Sequence, residues 1–146
     1  MALFLPMKNS IKDYLRIVDA IDENVGRILT WLDDKKELKD NTMVIYCSDQ
    51  SYFTGEHGYF EKRLMYEEAL TMPLLIRWPE VINPKTVINH MVQNIDYGPT
   101  FLDMAGLAIP EDMQGSSFVP LLKGSDPEDW RTAVYYHYYD HGQHVV

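Results

Sequence analysis

Two oxygen-bearing side chains, Asp49 and Gln50, follow directly after a short apolar run that ends at Cys47. Carboxylate and amide oxygens are the ligands that hard cations such as calcium and magnesium prefer. Asp49 and Gln50 are therefore candidate metal ligands. Two ligands do not complete a site, and an Asp that starts a turn beside a solvent-exposed Gln explains the same residues.

A histidine and two cationic side chains, His57, Lys62 and Arg63, follow within a glycine-containing segment. Lys and Arg supply positive charge where an anionic ester develops negative charge on its oxygens, and His can donate a proton to a leaving group. The segment is thus a candidate site for an oxyanion. The residues alone leave open a second interpretation, a solvated basic loop whose histidine packs on Tyr59 or Phe60.

Two short strands are predicted to position these groups. Residues 42–47 are rich in β-branched and aromatic side chains, and prolines bracket a second apolar run at 73–79. A run that is apolar on both faces suits a strand of a parallel sheet that helices cover on each side. The chemistry-bearing residues would then lie past the carboxyl end of the first strand, where ligand crevices form in open α/β sheets.

Two longer helices are predicted around these strands. Apolar residues recur at helical spacing over residues 11–34, with Ser10 placed to cap the start, and we expect this stripe to face a core. The second helix covers 96–106, with Asp96 as a cap and Gly106 as the left-handed terminator. The stripe consists of Tyr14, Ile17, Val18, Ile21, Val25, Ile28, Leu29 and Leu32. The remaining predicted elements are a loop at 51–63, a short helix at 64–71, a helical turn at 119–122 and a β-rich tail at 134–139.

Composition excludes several classes of protein. The chain has 146 residues, 46% of them hydrophobic and 24% charged, which is typical of one globular domain. The net charge of −9 and the lack of a basic stripe argue against nucleic acid as a partner. No apolar run approaches the roughly 20 residues that cross a membrane, and residues 2–6 are too short an apolar run for a signal peptide. The single cysteine, Cys47, excludes an internal disulfide.

A family resemblance covers most of the chain. Residues 48–79 contain Ser48-Asp49-Gln50, Gly55-Glu56-His57-Gly58 and Glu61-Lys62-Arg63, and they end at Pro79. This run resembles the late metal and substrate motif of the type I sulfatases, the formylglycine-dependent enzymes of the alkaline phosphatase superfamily. Residues 14–32, 92–106 and 114–124 also resemble segments of that family, the last through its Gly-x-Ser-x-x-Pro-Leu-Leu pattern.

The resemblance implies an α/β fold, namely an incomplete part of an alkaline-phosphatase-like sandwich with a mostly parallel sheet flanked by helices. Residues 1–146 would form a single partial catalytic domain, the later, C-terminal portion. An amide at position 50 favours the sulfatase branch, because the two-zinc phosphatases of the superfamily place a histidine there and imidazole suits zinc.

The resemblance also implies roles for single residues. It makes Asp49 and Gln50 ligands of a calcium ion and Lys62 the lysine that binds a sulfate oxygen. His57 falls in the family's Gly-Glu-His-Gly segment near the active site, as a catalytic or loop-supporting residue, and Arg63 is a weaker substrate-binding candidate. The position of Asp96 in the family motif is structural.

Histidines in the tail, His137, His141 and His144, could form a substrate-recognition edge of the complete enzyme, and His144 is our substrate-binding candidate among them. A strand with exposed histidines is the ordinary alternative. The resemblance implies that the complete enzyme hydrolyses sulfate esters of a small molecule or carbohydrate, and that it is periplasmic or secreted.

The family's nucleophile motif, Cys or Ser followed by x-Pro/Ala-x-Arg, is absent from these residues. Cys47 precedes Ser48-Asp49-Gln50-Ser51 and does not fit it. The early Asp-Asp calcium ligands are also missing, since Asp33-Asp34 ends a helix. Formylglycine is thus expected in the complete enzyme and not here. Because calcium takes six to eight oxygens, we expect this chain alone to bind calcium weakly and to be inactive.

Two rival functions stay open at this point. One is a phosphoesterase or phosphonate hydrolase of the same superfamily, because sulfate and phosphate esters share shape and much of their charge. The other is a non-catalytic binding module derived from a sulfatase. If the first strands of the sheet are missing, the strands that remain would have unpaired edges and uncovered apolar faces, which favour association with another chain, including a second copy.

Overall fold

The computed structural model describes residues 4–136, except for the side chains of residues 4–8 and 61. The chain divides into two compact units, Met1–Pro79 and Glu80–Val146, which are described separately. None of the described helices is both long enough and apolar enough to cross a bilayer. The assignment of residues 1–146 to one partial domain stays a prediction, as does association with another chain.

The first unit begins with a long helix, α1, over Phe4–Asp33. It confirms the helix predicted over 11–34 but starts earlier, so the prediction that Ser10 caps it is wrong. Helix formation continues back to Phe4 because Pro6 lies in the first turn, where a proline's missing N–H costs no hydrogen bond. A short helix, α2, follows over Lys36–Lys39.

The apolar stripe of α1 lies on one face but is largely exposed. Leu32 is buried, whereas Ile17 and Ile28 are 59% and 64% exposed. Within the described residues, the prediction that this stripe faces a core is therefore wrong for most of its length. Periodicity fixes which side chains share a face, but it does not fix what covers that face.

Both predicted strands are present, as β1 over Val44–Cys47 and the last strand, β4, over Leu74–Arg77. They pair antiparallel, from Val44 opposite Arg77 to Cys47 opposite Leu74. The expected parallel pairing is therefore wrong for these two strands, and neither is buried on both faces. Parallel neighbours need a crossover connection, whereas the helix between them, α3 over Glu67–Leu70, has only four residues.

The segment predicted as a loop at 51–63 contains a small hairpin. Strands β2, Phe53–Thr54, and β3, Phe60–Glu61, pair antiparallel across a 3-10 turn at Glu56–Gly58. Two-residue strands are too short to show a period, so periodicity could not reveal them. The predicted short helix at 64–71 is confirmed in shortened form by α3.

The second unit has a small core around two helices, α4 over Tyr97–Met104 and α5 over Val119–Leu122. Gly106, with φ of 68°, ends the α4 region in the left-handed conformation, as predicted. The α5 segment supplies most of the buried apolar side chains. These are Phe118, Val119, Leu121 and Leu122.

Asp96 organises the second unit in a way that the sequence did not predict. Its carboxylate makes no capping hydrogen bond to α4, so that prediction is wrong, although a structural role is confirmed. Instead it accepts hydrogen bonds from the backbone N–H of Gln93 at 2.7 Å and of Ser116 at 2.8 Å, and from both terminal nitrogens of the Arg131 guanidinium. Asp96 is completely buried, so it joins three chain segments.

The tail histidines His137, His141 and His144 lie outside the described residues, so the predictions that concern them stay predictions. Residues 134–136 have no regular secondary structure.

Candidate functional site

The turn after β1 and the end of the hairpin bring two candidate residues together. Asp49 follows β1 and Lys62 follows β3, and the Lys62 Nζ lies 3.7 Å from the Asp49 Oδ2. The Asp49 side chain is 88% exposed and that of Lys62 is 41% exposed. Both groups are therefore accessible to a ligand, and their mutual attraction is weakened by solvent.

Gln50 turns away from solvent towards α3. Its Nε2 donates a hydrogen bond to the backbone carbonyl of Ala69, and the contact is part-buried. With the amide nitrogen engaged, Oε1 is the atom of this side chain that can serve a cation.

His57 is fastened to residues at the start of α3. Its Nε2 lies 3.1 Å from Glu68 Oε1, and its ring stacks on Tyr66 with centroids 4.5 Å apart and planes at 22°. The completely buried Phe53 presents its ring to His57 at 6.4 Å in an edge arrangement. The histidine thus packs on an aromatic side chain, but on Tyr66 and not on the Tyr59 or Phe60 considered from the sequence.

The backbone between Gly55 and Arg63 has several left-handed residues. His57 has φ of 55° and Arg63 has φ of 101°. A non-glycine residue in the left-handed region costs about 1 kcal/mol or more. Such conformations persist only where neighbouring contacts impose them, and they occur often at ligand sites.

Glu56 anchors the turn of the hairpin. Its carboxylate accepts hydrogen bonds from the Thr54 backbone N–H at 2.6 Å and from the Thr54 hydroxyl at 2.9 Å. The backbone N–H of Thr54 is the main reason that the pKa of Glu56 lies below its usual value. Glu56 is therefore ionised at neutral pH, and its hydrogen bonds to Thr54 stabilise the turn.

The donor set suits a hard cation but is incomplete within the described residues. No group of three or more His, Cys, Asp and Glu side chains in residues 4–136 could hold a metal ion. Asp49 and the Gln50 Oε1 are oxygen ligands on consecutive residues, and they fit as two of the six to eight that calcium takes. The structure thus supports a partial site only.

Sequence reasoning missed three residues that shape this site: Tyr66, Glu68 and Ala69. Glu68 is part of the pair Glu67-Glu68, which is typical of the exposed surface of a helix. Ala69 acts through its backbone carbonyl, which no pattern of side chains reveals. Tyr66 and His57 are nine positions apart and on different elements, so only the folded chain pairs them.

Residues 55–146 match the family model of the N-sulphoglucosamine sulphohydrolase C-terminal region. The chain belongs to this sulfatase family. It is 50% identical over 139 residues to the N-acetylglucosamine-6-O-sulfatase of Bacteroides thetaiotaomicron, covering 93% of this chain and 25% of that protein. This sulfatase chain spans about a quarter of the length of the curated relatives it matches.

Solved structures agree with the family and the fold. The structure of BT4656 in complex with its substrate D-glucosamine-2-N,6-O-disulfate matches with a TM-score of 0.84 at 50% identity, over 90% of this chain and 27% of that one. The phosphonate monoester hydrolase SpPMH from Silicibacter pomeroyi matches with a TM-score of 0.69 at 33% identity, over 76% and 22%. The predicted class, an incomplete α/β part of the alkaline-phosphatase-like fold, is confirmed.

Proposed function

We propose that this chain supplies the sulfate-binding lysine and two calcium ligands of a sulfatase active site, and that the whole protein hydrolyses a 6-O-sulfate ester of an amino sugar. The observation that carries the proposal is the 3.7 Å contact between Lys62 and Asp49, beside Gln50. It places a cation for an oxyanion next to oxygen ligands for a metal, which is the pairing that sulfate-ester chemistry needs.

Lys62 would hold one sulfate oxygen. A lysine ammonium carries a compact positive charge with three N–H donors, so it stabilises negative charge as it grows on the sulfate oxygens during cleavage. Arg63 is the next residue, and its guanidinium could donate N–H bonds to another sulfate oxygen. Of the two roles predicted for His57, catalytic or loop-supporting, we propose the second, because its Nε2 lies 3.1 Å from Glu68 Oε1.

Asp49 and the Gln50 Oε1 would hold calcium. The ion, when bound, supplies positive charge that offsets the charge of the sulfate group. The remaining oxygen ligands and the formylglycine nucleophile would have to come from outside these 146 residues, because the chain has no Cys/Ser-x-Pro/Ala-x-Arg motif.

Two relatives support the proposed substrate class. An N-acetylglucosamine-6-O-sulfatase is 50% identical to this chain, and BT4656, with a TM-score of 0.84, has D-glucosamine-2-N,6-O-disulfate as its substrate. Both names point to an amino sugar that carries a sulfate at position 6. A periplasmic or secreted location, and a role for His144 in binding that sugar, stay predictions.

A phosphonate monoester hydrolase is the second candidate, because one such enzyme shares the fold at 33% identity. Phosphonate monoesters and sulfate esters both present tetrahedral oxyanions with one net negative charge, so Lys62 could serve either. The two functions differ in which ester is turned over faster.

The test compares the two esters in the whole protein and its Lys62→Ala variant. We expect sulfate release from N-acetylglucosamine 6-sulfate, with kcat/KM reduced about 100-fold in Lys62→Ala, since one oxyanion donor contributes a factor of that order. Lys12→Ala, an exposed lysine of α1, is the matched control and should match wild type. Faster turnover of a phenylphosphonate monoester, or a Lys62→Ala variant within twofold of wild type, would contradict the proposal.

A further inference from the structure

The segment that carries Lys62 is held in an unusual backbone conformation. Four of its residues, Gly55, His57, Gly58 and Arg63, have φ of 131°, 55°, 77° and 101°. Two of these are not glycines, so their left-handed conformations cost free energy that other contacts must offset. The position of Lys62 therefore depends on what fastens this segment.

Several side-chain contacts fasten this segment at His57. Its imidazole stacks on Tyr66 and makes an edge contact with the buried Phe53, and its Nε2 lies 3.1 Å from Glu68 Oε1. The side chains of His57 and Glu68 are 44% and 35% exposed, so the pair is partly shielded from water. Glu68 thus holds the imidazole of His57, whose backbone is in the left-handed conformation.

Helix α3 fastens the metal-ligand turn as well. Ala69, the residue directly after Glu68, accepts the hydrogen bond from the Gln50 Nε2 through its backbone carbonyl. Consecutive residues of one short helix therefore hold the segment of Lys62 on one side and the Asp49-Gln50 turn on the other. The 3.7 Å approach of Lys62 to Asp49 joins the same two parts directly.

We infer that Glu68 is a positioning residue, which through His57 sets the place of Lys62 relative to Asp49 and Gln50. The inference rests on the proposed function of Lys62 as the sulfate-binding group. The contact assigned to Glu68 is the one to His57, so it acts by holding the histidine.

Limited proteolysis of the 146-residue chain tests the fastening without any activity, because trypsin cleaves after Lys62 and Arg63. A partly exposed side-chain hydrogen bond contributes about 1 kcal/mol, or fivefold in an opening equilibrium. We therefore expect cleavage at these two bonds to become about fivefold faster in Glu68→Ala, relative to cleavage after Lys39 in the same unit. Glu23→Ala, which removes an exposed carboxylate of α1, is the control and should leave that ratio unchanged.

Two further variants separate positioning from general loosening. Glu68→Gln keeps an acceptor for the imidazole N–H and should restore most of the protection, even where Glu68→Ala folds poorly. Adding Glu68→Ala to His57→Ala should cause no further acceleration if Glu68 acts through His57. An unchanged ratio in Glu68→Ala, no rescue by Gln, or additive effects in the double variant would each overturn the inference.

Activity in the whole protein gives the second readout. We expect Glu68→Ala to lower kcat/KM for the sulfate ester about fivefold, and to have no such effect in a Lys62→Ala background. A loss of equal size in both backgrounds would show that Glu68 does not act on Lys62. If wild type turns over no sulfate ester, the proposed function fails, while the proteolysis ratios still decide whether Glu68 fastens the segment.

Discussion

Replacing Arg131 by alanine should destabilise the second unit far more than any surface ion pair would. Asp96 is 0% exposed, and its carboxylate has four donors: the backbone N–H groups of Gln93 and Ser116 and two guanidinium nitrogens of Arg131. Arg131→Ala removes half of these donors and the only formal positive charge among them. A buried charge left without its partner costs about 3–5 kcal/mol.

The same pair predicts how the loss depends on pH. Burial alone would raise the pKa of Asp96, but the hydrogen bonds from Arg131, Gln93 and Ser116 outweigh it and lower the pKa below the usual 3.8. Because the pKa of Asp96 is lower in the folded state, its ionised carboxylate stabilises the fold above pH 3.8. This stabilisation is lost as the pH falls through the pKa of the folded state. Without Arg131, burial raises the pKa of Asp96 against fewer opposing hydrogen bonds. The difference in the free energy of unfolding between wild type and Arg131→Ala should therefore shrink towards acid pH.

Urea unfolding followed by far-UV circular dichroism measures this loss. With a typical slope of about 1–3 kcal/mol per M, a loss of about 3–5 kcal/mol should lower the urea midpoint of Arg131→Ala by about 1–5 M at pH 7. Arg131→Lys, which keeps the charge but not the paired geometry, should lose roughly half as much. The control is Arg16→Ala, whose ion pair with Asp13 has side chains 75% and 64% exposed, and we expect less than about 1 kcal/mol there. A midpoint for Arg131→Ala no lower than that of the control would refute the reasoning.

Two further predictions concern glycine and calcium. Gly115→Ala should destabilise the fold by more than about 2 kcal/mol, because its methyl group would meet the backbone of Ile95. Gly26→Ala in α1 meets nothing within 4 Å and should stabilise the fold by about 0.5–1 kcal/mol. Chemical denaturation of both variants checks these opposite signs. Isothermal calorimetry of the 146-residue chain should show calcium binding weaker than micromolar and no sulfate ester turnover, since two oxygen ligands leave most of the shell to water. Sub-micromolar binding would contradict that expectation.

The sequence predicted those elements that its patterns are long enough to reveal. Helix α1 has eight apolar residues at helical spacing, and β1 and β4 are compact β-branched or aliphatic runs between polar residues or prolines, so their places were clear. The antiparallel pairing of β1 with β4 was not predicted. The relative direction of two strands depends on the path of the segment that connects them. The two-residue strands β2 and β3 carry no period at all.

Candidate site residues with a distinctive side-chain chemistry could be named from the sequence, and residues that act through contacts in the fold could not. Asp49, Lys62 and His57 stood out because few residue types bind cations or oxyanions. Arg131 gave no signal, since nothing in a sequence tells that an arginine 35 positions away reaches a buried Asp96. Ala69 contributes only a carbonyl, and every residue has one.

The geometry of the candidate site depends on contacts between very short elements. A four-residue helix and two-residue strands have no stability of their own, because nucleation costs more than such short elements return. Phe53 is 0% exposed and lies at 6.0–6.4 Å from the rings of His57, Tyr59 and Tyr66, so its burial is what holds these elements together. The groups proposed to bind sulfate and calcium are thus held by the packing of Phe53, by the polar contacts of α3 and by the pairing of β1 with β4. A ligand that binds Asp49 and Lys62 together would stabilise the same segment by mass action.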